Sequence, residues 1–278
     1  MNVLEFTLVV SAIAACAGFL GALTGLGGGV VITPVLTLVL GVDIRYAIGA
    51  TLISVIATSS GAAAAYVREG FSNVRIGMFL EIATTGGAIA GALLASRTPT
   101  SALAVIFGVV LLYSAWASRR RLPDHIVRKP DPLATRLALN GRYPTSEGWQ
   151  SYAVARVKTG FGLMFGAGML SGLLGIGSGA LKVLAMDQAM RIPFKVSATT
   201  SNFMIGVTAA ASAGVYLNRG YVDPGLAMPV TLGVLAGATA GARFLTGART
   251  EWLRRIFAAV VAVLAVQMIY GGLAGKLK

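Results

Sequence analysis

The chain has 278 residues, of which 56% are hydrophobic and 12% charged, and its mean hydropathy is +0.77. Because a soluble domain carries about 25% charged residues, this composition excludes an ordinary soluble fold and predicts an all-α polytopic membrane protein. The net charge of +13 does not indicate nucleic-acid binding, since nine of the 23 basic residues lie between Arg119 and Lys158 and most others end apolar segments.

Ten apolar segments form two sets of five. The first set covers about 3–24, 28–41, 46–67, 74–96 and 100–118, and the second about 153–174, 178–190, 194–217, 224–246 and 252–273. A basic polar stretch separates them. The sequence therefore predicts a first transmembrane repeat over 1–118, a cytoplasmic linker over 119–152 and a second transmembrane repeat over 153–278, all in the cytoplasmic membrane. Because no basic residue precedes Arg45, we expect the first segment to stay in the mature protein.

The two sets repeat each other at a spacing of 150 residues. A glycine-rich break at 18–29 matches one at 168–179, and Met78 matches Met228 at the same offset. The pairs Gly87–Gly91 and Gly237–Gly241 also match, with the spacing of close helix crossings inside a protomer or at a homodimer interface. These matches predict one internal duplication.

Two segments, 28–41 and 178–190, are short, reaching only about 20 Å at 1.5 Å per residue. If both span the membrane, each half has five spans and the halves are inverted. If both are re-entrant, the chain has eight spans and parallel halves. With the linker inside, the ten-span topology places 16 basic residues inside and five outside, against 14 and seven for eight spans. The charge distribution therefore favours inverted repeats of five segments each.

The glycine-rich breaks predict an anion-binding site. Paired glycine interruptions in two halves of a membrane protein point to a transporter site. Glycine permits left-handed backbone, and the helix after each break directs free N–H groups and its positive dipole end into a cavity. Close helix packing is the alternative. The substrate-binding residues predicted here are Gly25, Gly27, Gly28 and Gly29, with Gly175, Gly177, Ser178 and Gly179.

Hydroxyl and amide side chains recur early in the segment after each break. Such groups can donate hydrogen bonds to an oxyanion without adding charge, or can bond back to their own helix. The predicted substrate donors are Thr51 and Ser54 in the first half and Thr199, Thr200, Ser201 and Asn202 in the second.

Two ionisable residues lie at membrane depth, where a charge is costly and indicates function. Lys182 follows Gly179 closely and is predicted to bind the anionic substrate, with a pair to Asp187 or an interfacial position as alternatives. Glu81 is the candidate for proton coupling, with an ion pair to Arg75 or another basic residue as the alternative.

Nothing in the sequence indicates an enzyme, a metal site or a cofactor. Cys16 is the single cysteine and His125 the single histidine, and neither has neighbours that would complete a metal site or a catalytic set.

The sequence resembles the TauE/SafE family of sulfite exporters, also called the toluene sulfonate uptake family. The residues that carry the resemblance are the two breaks, Pro34, and the segments that begin at Ala50 and Ala198. The resemblance implies transport of small sulfur-containing anions such as sulfite, sulfoacetate or other organosulfonates. Ser178 replaces a usual glycine and Leu184 a frequent proline, and both changes bear on the substrate more than on the fold.

We therefore predict a secondary transporter that exports a small sulfur-containing anion by alternating access, with the direction resting on the resemblance. The substrate and the lipid bilayer are its expected partners. One alternative is an importer or facilitator of another small anion, such as thiosulfate or a carboxylate. The other is a membrane scaffold whose glycines serve packing only, although packing does not require polar residues at the breaks.

Overall fold

The computed structural model describes residues 2–24, 29–68, 71–117, 131–145, 148–245 and 250–275, and these are mostly helical. The helices are α1 (Val3–Thr24), α2 (Gly29–Leu38), α3 (Ile44–Arg68), α4 (Val74–Ala95), α5 (Thr100–Ala117), α6 (Pro132–Arg136), α7 (Val157–Leu174), α8 (Gly179–Leu184), α9 (Phe194–Asn218), α10 (Pro224–Leu245) and α11 (Thr250–Leu273). A π-helical turn at Ala185–Ala189 continues α8. Its wider turn matters because such turns are frequent at functional sites.

The apolar helices differ in length. Among the described residues, α4 and α7 are each long and apolar enough to cross a bilayer. Shorter apolar helical stretches of 10–17 residues occur at Leu4–Phe19, Gly29–Leu38, Ile44–Ser60, Thr100–Trp116, Pro224–Ala240 and Ala259–Leu273.

The helical body is apolar outside and partly polar inside. Large apolar side chains such as Leu8, Ile82 and Val263 are exposed on the outer helix faces. Hydroxyl groups are buried instead, among them those of Thr33, Thr51, Thr84, Ser171, Ser197, Thr208 and Ser212. This distribution suits a protein whose outer surface contacts lipid, because lipid solvates apolar groups while interior helices satisfy polar ones.

Helices of the first half pack against helices of the second. The main packed pairs are α1 with α10, α4 with α7, α5 with α11 and α3 with α9. Gly168 of α7 faces Thr84 of α4, and four residues further along both helices Gly172 faces Ala88, so α4 and α7 run in the same direction. By the same test α1 and α10 run in the same direction, since Gly233 faces Ser11 and Gly237 faces Ala15.

The pair α5 and α11 runs in opposite directions. Gly108, in the middle of α5, faces Ala265 and Ile269, whereas Gly272, near the end of α11, faces Ser101 close to the start of α5. A step forward along one helix is therefore a step backward along the other.

Three of the four predicted small-residue positions, Gly87, Gly91 and Gly237, pack closely within one chain, and the surroundings of Gly241 lie outside the described residues. A Cβ added to Gly87 or Gly91 would meet the backbone of Phe165 or Met169, and one added to Gly237 would meet the backbone of Ala15. Only a residue without a side chain allows backbones this close.

We expect Gly172→Ala to destabilise the protein by about 1–3 kcal/mol, because its new methyl group would overlap the carbonyl oxygen of Ala88 and push α4 away from α7. Gly166→Ala, on the same helix, is the control, because a Cβ there meets no atom within 4 Å. Thermal unfolding in detergent should show a lower midpoint for the first variant alone. Equal midpoints would contradict this packing.

The described part of the linker contains elements that the sequence did not predict. Besides α6, it contains an antiparallel hairpin of β1 (Gly141–Thr145) and β2 (Gly148–Tyr152), so the fold is mainly rather than purely helical. Ala134, Leu139 and Tyr143 of this segment pack against apolar residues of α4, α7 and the π-helical turn. Asp131 accepts hydrogen bonds from the backbone N–H groups of Leu133 and Val157, so one carboxylate caps both α6 and α7. The hairpin therefore forms a cap against one end of the helical body.

Candidate functional site

The second glycine break is a sharp turn between α7 and α8. Gly175, Gly177 and Ser178 all have positive φ angles, of 69°, 68° and 43°. A Cβ on Gly175 would lie 2.6 Å from Cγ2 of Ile48, and one on Gly177 would lie 2.9 Å from Cγ2 of Ile205. Glycine is therefore required at both positions by backbone conformation and by space. Ser178 adopts the same left-handed region at a steric cost, which fits its position between two constrained glycines.

The described part of the first break lies beside the second. A Cβ on Gly29 would lie 3.7 Å from the carbonyl oxygen of Gly175 and 3.0 Å from Cγ2 of Thr51. Val55 contacts this region from α3, since its methyl groups approach both Gly29 and Gly177. The other predicted residues of the first break, Gly25, Gly27 and Gly28, lie outside the described residues, as does His125.

The predicted hydroxyl donors near the breaks bond within the protein. Ser201 donates to the carbonyl of Gly179 (3.2 Å), and Ser178 donates to the carbonyl of Ala167 (2.7 Å). The Thr51 hydroxyl shares a hydrogen bond of 2.8 Å with that of Thr33, and Ser54 bonds back to the carbonyl of Thr51. In this conformation these groups therefore brace the breaks, and Asn202 is half-buried beside them on α9.

Thr199 and Thr200 bond to the loop before α4. The Thr199 hydroxyl donates to the carbonyl of Phe71 (3.0 Å), and the Thr200 hydroxyl accepts from the backbone N–H of Asn73 (3.0 Å). The structure therefore separates them from the breaks and makes them a link between α9 and α4.

The structure brings Lys182 and Glu81 together through Thr208. The Lys182 ammonium donates to the Thr208 hydroxyl (2.6 Å), which donates to Oε1 of Glu81 (2.6 Å). Lys182 is 0% exposed and Glu81 only 8%, so both lie inside the helical body rather than at its ends. The hydrogen bond of the Lys182 ammonium is therefore to Thr208, and Asp187, the alternative partner, is buried on the π-helical turn.

The arrangement leaves Glu81 only partly satisfied. Oε1 also accepts from the Thr85 hydroxyl (3.1 Å), whereas Oε2 is buried without a hydrogen-bond partner among the described residues. Unsatisfied buried oxygens are rare in native proteins and call for an explanation, such as a catalytic or ion-carrying role. A carboxylate beside a buried ammonium can exchange a proton, and the ammonium can pair with an anion.

Thr208 is a functional candidate that the sequence alone did not reveal. It lies on the buried face of α9 with Ser201 and Ser212, at the seven- and four-residue spacings of one helix side. That periodicity was the available signal, but it does not distinguish a bridge between charges from an ordinary hydroxyl bonding to its own helix. The carbonyl oxygen of Met204 lies 2.9 Å from the Thr208 hydroxyl and is a second acceptor within reach of its single proton.

We expect Thr208→Val to destabilise the protein by about 1.5–3 kcal/mol, because it removes the bridge between two buried charges while nearly conserving volume. Thr208→Ser keeps the hydroxyl and should unfold within about 1 kcal/mol of the wild type. Thermal unfolding in detergent compares the two. The bridge would be refuted if valine and serine had the same effect.

In the described ranges, no group of three or more His, Cys, Asp or Glu side chains is placed to hold a metal ion.

Comparisons with known proteins match this chain to membrane transporters. The family described as sulfite exporter TauE/SafE matches residues 10–268. The probable membrane transporter protein YunE of Bacillus subtilis is 26% identical over 92% of this chain and 95% of its own. The probable membrane transporter protein YdhB of the same organism is 28% identical over 82% and 84%. A probable membrane transporter protein of Xylella fastidiosa strain 9a5c is 26% identical over 91% of both chains. No solved structure matches the chain significantly.

Proposed function

The chain belongs to the sulfite exporter TauE/SafE family of membrane transporters, and we propose that it exports small sulfur-containing anions across the cytoplasmic membrane by alternating access. Sulfite, sulfoacetate and other organosulfonates are the proposed substrates. The observation that carries the proposal is the buried arrangement of Lys182, Thr208 and Glu81, contributed by three different helices. It offers a positive charge for an anion and a carboxylate for a proton in one place.

The proposed topology is two inverted repeats of five segments, with the linker on the cytoplasmic side. The duplication predicted from the sequence would make α5 and α11 equivalent, so parallel halves would orient them alike, whereas they pack in opposite directions. Inverted halves also account for the equal directions of α1 and α10 and of α4 and α7, since each of these pairs joins non-equivalent helices.

The charge balance at the centre suggests how binding works. When Glu81 is ionised, its negative charge compensates the positive charge of Lys182 through Thr208, and a further anion would gain little binding free energy there. Protonation of Glu81 leaves the ammonium uncompensated in a medium of low polarity, where Coulomb attraction is strong. An anion entering beside Lys182 then restores neutrality. In this mechanism the anion and one proton bind together.

The same coupling is compatible with export. A divalent sulfite carried with one proton moves one net negative charge. A membrane potential negative inside drives that charge outward with about 2.3 kcal/mol per 100 mV. The proton gradient opposes the movement, so the potential and the substrate gradient supply the driving force.

The glycine breaks form the proposed pivot and wall of the site. Gly29 lies beside the carbonyl of Gly175, and Val55 contacts both Gly29 and Gly177, so a small rotation of one half would change the space between the breaks. Thr51 and Ser201 hydroxyls brace the breaks here. In a substrate-bound conformation we assign them, with Ser54, Ser178 and Asn202, the role of donors to the oxyanion.

The test is flux in proteoliposomes that contain the purified full-length chain. Labelled sulfite, sulfoacetate, thiosulfate and acetate are compared under an imposed membrane potential. The proposal expects saturable flux of sulfite and sulfoacetate, accelerated when the starting compartment is negative. Flux of thiosulfate or acetate without flux of sulfite or sulfoacetate would contradict the proposed substrate class. Absence of all four fluxes with folded protein would favour a scaffold.

A further inference from the structure

A cavity of about 370 Å³ lies between the hairpin and the loop before α4, well separated in sequence from the glycine breaks. Residues 71–73 and the first turn of α4 form one wall, and the hairpin forms the other. Asn73 joins the walls, because its amide donates to the Tyr152 hydroxyl (2.6 Å) and to the carbonyl of Leu139 (3.2 Å). We call this space the hairpin cavity.

The polar groups that line the hairpin cavity are mostly donors. Arg75 enters from α4 and Arg142 from β1. The Oδ1 atom of Asn140 already accepts from the N–H of Val154, which leaves its NH₂ group to donate. The Ser72 hydroxyl is buried without a hydrogen-bond partner among the described residues.

Tyr152 adds another neutral donor. Burial raises the pKa of Tyr152 to about 12, and the hydrogen bond from Asn73 lowers it only in part. The phenol therefore keeps its proton at neutral pH. Because its oxygen accepts from Asn73, its own proton remains for a ligand.

Among the described residues, no acidic side chain lines the hairpin cavity, and neither Arg75 nor Arg142 forms a salt bridge with another described residue. Two arginines with no carboxylate among the described lining residues favour an anion as the ligand. One guanidinium group can donate two parallel hydrogen bonds to two oxygens of a sulfonate or phosphate group. The volume exceeds that of a bare inorganic ion and lies in the range of sites for small organic ligands.

From this geometry we propose that the hairpin cavity is a second oxyanion site, which binds the sulfonate or phosphate group of a small organic molecule or lipid headgroup. The site consists of other residues than the proposed transport site, and the proposal stands whether or not the chain exports sulfur anions. Arg75 and Arg142 hold the charged group, while Ser72, Asn140 and Tyr152 donate to its remaining oxygens.

The site is connected to the transport centre through α9. Asn73, in the cavity wall, donates its backbone N–H to Thr200, and Thr199 donates to the carbonyl of Phe71. Thr208 lies further along the same helix. A ligand that fixes the cavity wall therefore also fixes the start of the helix that bridges Lys182 and Glu81.

Trp149 offers a direct readout, because the Arg142 guanidinium lies 5.3 Å from the centre of its ring. A ligand that draws Arg142 into the cavity should change Trp149 fluorescence. The experiment uses full-length protein in detergent with Phe in place of Trp116 and Trp252, titrated with ethanesulfonate and with ethyl phosphate. Nanodiscs of phosphatidylglycerol or of phosphatidylcholine alone, without added anion, test the lipid source.

We expect saturable binding of at least one anion, or a difference between the two lipids. Arg75→Gln and Arg142→Gln should each weaken the affinity about tenfold or more, with unchanged thermal unfolding. Arg136→Gln is the matched control for charge, because Arg136 of α6 does not line the hairpin cavity. Lys182→Gln should also leave the fluorescence response intact, because Lys182 does not line the cavity either. The proposal is overturned if neither anion nor lipid changes the fluorescence, or if the response survives removal of both arginines.

Discussion

Lys182→Gln is expected to lower the flux of sulfite and sulfoacetate by a factor of about 100 or more. Lys182 is fully buried, and its ammonium is the positive charge in the Lys182, Thr208 and Glu81 arrangement. Losing a buried charge that pairs with a substrate anion costs about 3–5 kcal/mol, and each 1.4 kcal/mol corresponds to a tenfold change. Flux of labelled anion in proteoliposomes measures the effect.

Two further variants separate transport from folding. Lys195→Gln removes an exposed lysine at the start of α9 and should retain wild-type flux. Glu81→Gln combined with Lys182→Gln leaves no uncompensated buried charge, so it should recover stability relative to Lys182→Gln but not flux. The binding role of Lys182 fails if the single or the double variant transports at the wild-type rate.

Gly175→Ala is expected to reduce both stability and flux severely. Its φ angle of 69° disfavours a side chain by about 1–2 kcal/mol, and the new Cβ would lie 2.6 Å from Cγ2 of Ile48. The overlap adds about 1–3 kcal/mol. Because the break cannot relax without separating α7 from α3, we expect the surviving folded protein to transport at less than about a tenth of the wild-type rate, given 1.4 kcal/mol per tenfold change.

Gly162→Ala is the matched control for this break. It lies on α7 in regular helix, and a Cβ there meets no atom within 4 Å. Alanine in a helix is more stable than glycine by up to about 1 kcal/mol, so this variant should be neutral or slightly stabilised. Thermal unfolding and flux are measured on both. Equal unfolding midpoints and equal fluxes for Gly175→Ala and Gly162→Ala would contradict the requirement for glycine at position 175.

The sequence predicted the long helices well, since the membrane requires continuous apolar segments. The prediction of 74–96 compares with Val74–Ala95, and that of 153–174 with Val157–Leu174. The hairpin was missed because its strands have five residues each, Pro144 interrupts the strand signal, and β2 is almost wholly exposed. Packing of Tyr143 against the helical body stabilises it, and such contacts are absent from the local sequence.

The sequence singled out candidate site residues one by one, but it did not predict which of them contact each other. Lys182 and Glu81 could each be singled out because charges at membrane depth are rare. Their meeting depends on how α4, α8 and α9 pack, and the bridging Thr208 resembles many other helix hydroxyls. Thr199 and Thr200 show the reverse case, since the structure directs them to the loop at Phe71 and Asn73 rather than to the breaks.

The central claim is that an anion and a proton bind together at Lys182, Thr208 and Glu81. The most direct test follows proton movement during sulfoacetate flux in proteoliposomes loaded with a pH-sensitive dye, for the wild type and for Glu81→Gln. Both groups of sulfoacetate stay ionised between about pH 6 and 8, so the substrate itself brings no proton. The account predicts that the wild type moves one proton with each sulfoacetate, and that Glu81→Gln moves sulfoacetate without a proton. Wild-type flux without proton movement, or unchanged proton movement in Glu81→Gln, would contradict it.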